Sequence, residues 1–190
     1  MSNIMDDPTP LIAARLKAER EARGWSLADF ASRSGVSRAM ISKVERGEAS
    51  PTAALLGRLS GALELTLSTL LSPAEVPGAR LRRAAEQPLW VDPATGYARR
   101  SVNPPTALPL DVVEVELPAG AQVPIPASAY AFLRHLIWVR AGVLTFVEGE
   151  KTHTLERGDC LELGPAQPCR YENRTQEACR YVVLVMRNER

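Results

Sequence analysis

The hydrophobic period of this chain changes once: residues 9 to 72 place apolar side chains at helical spacing, whereas residues 111 to 186 place them in short alternating runs. One such switch predicts two units of different class, helices first and strands after. A length of 190 residues accommodates both. With 45% hydrophobic and 24% charged residues, the chain is expected to fold rather than remain disordered.

In the first unit, Thr9-Pro10 predicts a helix start, with Thr9 as cap and Pro10 at the first helical position, and Gly24 a stop after Arg23. Ser26, followed by Asp29, predicts a capping box for a short second helix over Leu27 to Arg33. Ser34-Gly35-Val36 reads as a tight turn, with Gly35 free to take a positive φ. Ser37 caps a third helix ending near Gly47, and Pro51 opens a fourth that carries Leu55, Leu56, Leu59 and Leu63. Leu67 to Leu71 forms a fifth.

Seven of the fifteen prolines fall between residues 73 and 110, so little of that stretch can be helix. It reads as a linker, with Leu89-Trp90-Val91 and the following Pro-Ala-Thr-Gly as a first strand and turn of the second unit. From Asp111 onward the expected strands are Val112–Leu117, Leu133–Val139, Val143–Val147, Lys151–Leu155, Cys160–Leu163, Cys169–Asn173 and Arg180–Met186. Short, evenly spaced strands of this kind predict a sandwich or barrel.

Several function classes are excluded by what the chain lacks. Cys160, Cys169 and Cys179 form neither a CxxC pair nor an even set, which argues against a structural zinc site and for a reducing compartment. The first ten residues have no basic start or apolar run, and no stretch approaches a membrane span, so a cytoplasmic protein without a membrane partner is expected. A net charge of +1 gives no global basic field, so any nucleic-acid site must be local.

The stretch from Ser26 to Thr52 resembles the helix-turn-helix of the XRE, or phage-repressor-like, family, and the likeness extends over about residues 10 to 72. Phe30, Ala31, Val36, Ile41 and Val44 are spaced to pack the two helices of the motif against each other. The resemblance implies a five-helix, lambda-repressor-like bundle whose third helix enters the major groove of double-stranded DNA. Its outward residues are Ser37, Arg38, Ala39, Ser42, Lys43 and Arg46, with Met40 near the edge. Arg38, Ala39 and Lys43 fall where the family reads bases, and Ser26, Ser37 and Arg46 where it meets phosphates. Arg20 and Glu45 match a salt bridge that ties the first and third helices together in phage repressors.

The second half is similar to a cupin, a jelly-roll or double-stranded β-helix barrel, through Pro118-Ala-Gly120, the Trp138 to Gly142 segment, the Leu155 to Asp159 segment and the Gln167 to Asn173 segment. Cupins that bind metal use three histidines and a carboxylate. Here the matching positions hold Ser128, Tyr130, His135 and Cys169, so the resemblance implies no metal and no cofactor, unless Glu162 or His153 completes an atypical site. A lone histidine in an apolar strand is commonly a hydrogen-bonded core residue, and a lone buried cysteine a small hydrophobe. Their joint arrival with Tyr130 at paired positions suggests instead an organic-ligand pocket or a reactive thiol.

The expectation is therefore an α + β protein in two domains: a helix-turn-helix unit over 9–72, linker and first barrel strands over 73–110, and a cupin sensor over 111–187. It is expected to be a homodimeric, non-enzymatic transcriptional regulator that binds a DNA operator and a small-molecule effector. A metal-dependent cupin isomerase or dioxygenase with an accessory helical domain is the alternative.

Overall fold

The computed structural model describes residues 8–71, 80–106 and 108–187. Ser72, the last residue of the expected helical unit, Pro73, Glu75 and Pro77 of the expected linker, and most of the N-terminal segment lie outside the described residues.

Five helices come first: α1 (Thr9–Ala22), α2 (Leu27–Ser34), α3 (Arg38–Glu45), α4 (Ala53–Leu63) and α5 (Leu67–Leu71). Two starts differ from the sequence reading. Pro8, not Thr9, is the cap residue of α1, and it has no side chain to satisfy the first amides; Thr9 is already helical and bonds Ser50 Oγ at 2.7 Å. Pro51 precedes the fourth helix without entering it, because the Thr52 hydroxyl takes the cap by accepting from Leu55 N. The capping box forms as expected: the Ser26 hydroxyl accepts from Asp29 N at 3.2 Å while Asp29 Oδ2 accepts from Ser26 N at 2.9 Å. Gly35 takes φ +65, which lets α2 end within one residue and aim the chain into α3.

Ten strands follow: β1 (Leu89–Val91), β2 (Ala98–Ser101), β3 (Leu110–Leu117), β4 (Gln122–Ile125), β5 (Leu133–Ala141), β6 (Leu144–Glu148), β7 (Lys151–Leu155), β8 (Cys160–Glu162), β9 (Cys169–Glu172) and β10 (Cys179–Arg187). They form two antiparallel sheets, ordered β1-β2-β3-β10-β5-β8 and β4-β9-β6-β7. This is the two-sheet, all-β architecture expected of the second half, with β2 and β4 as strands that the sequence reading did not assign. β4 hides because it contains Pro124, which is tolerated since β4 lies at a sheet edge.

The helices and the barrel share one apolar core. Helix α4 lies on β4 and on a 3₁₀ turn (Ala127–Ala129), with Gly57 facing Pro126 and Gly61 facing Ser128. A methyl group on Gly61 would come within 2.7 Å of the Ser128 backbone, so only glycine allows this approach. Polar bonds fix the same joint. The buried Asp92, in the turn after β1, accepts from Ala53 N at the start of α4 at 3.3 Å, where a carboxylate also complements the helix dipole. Thr66 donates to Asp111 Oδ2 at 2.8 Å, and Arg99 on β2 donates to Ser68 on α5 at 2.9 Å.

Candidate functional site

Two surfaces carry chemistry. On α3, Phe30, Val36, Ile41 and Val44 are buried behind the helix, which leaves Ser37, Arg38, Ala39, Met40, Lys43 and Arg46 exposed and Ser42 half-buried. These residues lie together on one face. The Ser37 hydroxyl accepts from Met40 N at 3.2 Å, so it serves the helix start, as Ser26 does on α2. The Arg38 and Lys43 side chains make no hydrogen bond or salt bridge with a described residue. Arg46 differs: its guanidinium grips Glu48 through two bonds of 2.6 and 2.7 Å and also donates to Ser42. A phosphate contact by Arg46 must compete with Glu48.

The geometry of that face depends on one ion pair. Arg20 Nε and Nη2 donate to the two Glu45 oxygens at 2.7 and 2.8 Å, with only 11% and 7% of the side chains exposed. Arg20 also donates to Trp25 O, so α1 holds both the end of α3 and the turn before α2. The hydrogen bond to Glu45 raises the Arg20 pKa, opposed by burial. A bidentate, buried pair of this kind is rigid, and losing either partner strands a charge.

In the barrel, Tyr130, His135 and Cys169 come together beside a cavity of about 370 Å³. The Cys169 thiol donates to the Tyr130 hydroxyl at 3.0 Å, and the Tyr130 and His135 rings meet edge to face at 4.8 Å. Burial sets their protonation. It pushes the Cys169 thiol up to about 12, with the Tyr130 bond opposing, and lowers His135 to about 3, aided by the charge of Arg99. Burial likewise raises the Tyr130 phenol well above its ordinary value. At neutral pH the three are therefore an uncharged thiol, imidazole and phenol. They can exchange hydrogen bonds, but the thiolate needed for redox or electrophile chemistry is suppressed.

Glu148 is the site residue that the sequence reading passed over, since it follows the expected strand Val143–Val147. Its buried carboxylate lines the same cavity and accepts from Gly164 N at 2.8 Å. Its parity along β6 was the available signal, since Leu144, Phe146 and Glu148 alternate onto one face. Arg134 and Glu162 stand at the cavity's rim, exposed and 3.8 Å apart.

These residues do not fit the metal set of a cupin. Ser128 is exposed and abuts α4, Tyr130 is a neutral phenol, and His153 Nε2 stands 3.9 Å from Glu148 without bonding it. Among the described residues, no three His, Cys, Asp or Glu side chains gather as a metal site requires. No described helix is long and apolar enough to cross a membrane.

Comparison with known proteins finds relatives of the helical unit. The helix-turn-helix family model matches residues 16–70. The HTH-type transcriptional regulator SutR of Escherichia coli K12 is 41% identical over 69 residues, which cover 36% of this chain and only 39% of SutR. A crystal structure of an HTH_3 family transcriptional regulator from Vibrio cholerae superposes with a TM-score of 0.79 and 27% identity, over 95% of this chain and 97% of that one. A cupin domain of an XRE family transcriptional regulator from Enterobacter cloacae aligns with 49% of this chain at a TM-score of 0.46 and 17% identity. The barrel assignment rests on this chain's own strand order.

Proposed function

We propose, on the premise that this chain joins an XRE-type helix-turn-helix domain to a cupin barrel, that it is a cytoplasmic, non-enzymatic transcriptional regulator. In this reading α3 occupies the major groove of a DNA operator. Arg38 and Lys43 donate to guanine edges, Ala39 touches a thymine methyl, and Met40 lies at the margin of the contact. Ser26, Ser37, Ser42 and Arg46 lie toward the phosphates, with Arg46 exchanging Glu48 for the backbone.

The observation that carries the reading is the α3 face itself, where two cations stand exposed and without ion-pair partners among the described residues, on a helix locked from behind by Ile41, Val44 and the Arg20–Glu45 pair. A homodimer reading two half-sites is the natural form of such a contact. The barrel acts as the sensor. A small molecule held by Tyr130, His135 and Glu148 beside Cys169 alters the contact between the 3₁₀ turn and α4, and so the placement of α3, which is a coupling between separate sites.

Selection from a pool of random duplexes tests the reading. Enrichment of a two-fold symmetric sequence, with protection one helical turn apart, is expected. A pool that returns no preferred sequence would remove the DNA-reading role.

A further inference from the structure

Among the described residues Arg99 is the most deeply buried lysine or arginine, with 7% of its surface exposed. Its guanidinium makes a single hydrogen bond, Nη2 to Ser68 Oγ at 2.9 Å, and its Nε has no partner. No carboxylate of a described residue neutralises it. The buried acids are engaged elsewhere: Asp92 with Ala53, Ala94 and Thr95, Glu148 with Gly164, and Glu172 with Arg170 and Arg174. An arginine stays charged at any accessible pH, and a buried charge left with one neutral partner is strongly unfavourable. The folded protein tolerates this group, so something must offset it.

Beside Arg99 lies a narrow cavity of about 40 Å³, closed on one side by Ser60 and Thr66 of the helical unit and on the other by Tyr97, Tyr171 and His135 of the barrel. A single water needs roughly 10–15 Å³ of such space, so a group of a few heavy atoms fits. Tyr130, Leu133 and His135 line this inner cavity and the outer one of about 370 Å³ alike. A ligand in the outer cavity can therefore reach inward between these side chains.

We propose that Arg99 is the receptor for a carboxylate group, held in the inner cavity between the helical unit and the barrel. A carboxylate suits the site because it is small, planar and able to take two parallel bonds from a guanidinium fork. The neutral His135 imidazole can supply a further N–H. A second negative charge is disfavoured, since Glu148 and Glu162 face the outer cavity, so the ligand is a monocarboxylate with an uncharged or cationic remainder. Ser60 and Thr66 come from α4 and the turn after it, and Tyr97, Tyr171 and His135 from the barrel, so the bound group touches both units at once. The inference deepens the sensor reading above and rests on it.

The test uses the full-length protein with acetate, butyrate and acetamide at constant ionic strength. Saturable binding of acetate or butyrate by calorimetry, with a rising melting temperature, is expected, whereas acetamide gives neither. Butyrate binding tighter than acetate identifies the carboxylate end of a longer ligand, and acetate binding tighter identifies a free small anion. Arg99→Gln should weaken binding at least about tenfold, as loss of a charge-assisted pair implies. If that variant does not fold, the Nε–H resonance of Arg99 in wild-type protein gives the same answer, shifting with acetate and not with acetamide. No saturable carboxylate binding, equal binding of acetamide, an unmoved resonance, or full affinity in a folded Arg99→Gln each overturns the proposal. A barrel that binds neutral metabolites but no carboxylate would sink this inference and leave the sensor standing. Carboxylate binding that leaves operator affinity unchanged would do the reverse.

Discussion

The α3 face and the barrel cavity are built in opposite ways. The residues proposed to face DNA sit within Ser26 to Arg46, and the short helices that present them are set by local caps and one glycine turn. The inner and outer cavities together draw Arg99 from β2, Tyr130 from the end of a 3₁₀ turn, His135 from β5, Glu148 from β6 and Cys169 from β9. A site made by one contiguous segment can be rebuilt wherever that segment folds. A site made by distant strands exists only once the whole barrel has closed, and it inherits any strain placed on those strands.

The comparison breaks most sharply at the Arg20–Glu45 pair, a polar tie from α1 on which the otherwise local α3 face depends. With both side chains buried, Glu45→Gln leaves an uncompensated guanidinium and should destabilise the protein by ~3–5 kcal/mol, read from urea or thermal melts. A loss below ~1 kcal/mol would mean the pair behaves as an exposed one and the face is held by local structure alone.

A smaller effect is expected at the joint between the two regions. Gly61→Ala inserts a methyl group against the Ser128 backbone, and the turn leading to Tyr130 must shift. Overpacking of this kind costs about 1–3 kcal/mol. If the joint couples the regions, the variant should also change the response of DNA binding to a barrel ligand, while its ligand-free DNA affinity stays near that of wild type. An unchanged melting temperature would show the joint to be pliable.

The smallest effect per step is the pH dependence held in the barrel. His135 titrates near 3 when folded, whereas the unfolded chain takes up that proton at about 6.5. Between these values the unfolded state binds more protons, so stability is fully present above about pH 6.5 and declines as pH falls toward 3, by up to ~1.4 kcal/mol per unit. The carboxylates Asp29, Glu48 and Glu172, whose pKa values are lowered by their hydrogen bonds, act in the same direction in the acid range. Melts of His135→Gln from pH 7 to 5 separate the contributions, because the variant should lose the part of the slope nearest pH 6. Parallel curves for the two proteins would place His135 in contact with solvent.

The same contrast explains what could be read from the sequence. The Ser26 and Ser37 caps, a turn glycine and the apolar spacing of Phe30, Val36, Ile41 and Val44 are local, and each lies in its expected place. Apart from β2 and β4, the strands from Leu89 and from Val112 onward were legible to within a few residues, through alternation and turns. Arg99 was not, because it stands beside Arg100 in a proline-rich stretch and reads as a linker charge; only the pairing of β2 with β3 turns it inward. Glu148 was masked by the glycine that follows it. Thr9 misled because a threonine before proline resembles a cap, while the helix had already begun there.

The central claim is that α3 reads DNA sequence through Arg38, and the most direct measurement is a titration of the selected duplex and a random duplex across salt concentrations. Arg38→Ala should weaken the selected duplex by ~1–3 kcal/mol and relax preference at one base pair, with the random duplex little affected. Arg46→Ala should weaken both duplexes alike and flatten the salt slope by about one unit. An Arg38→Ala protein that binds the selected duplex as wild type does, with the same base preference, would contradict the account.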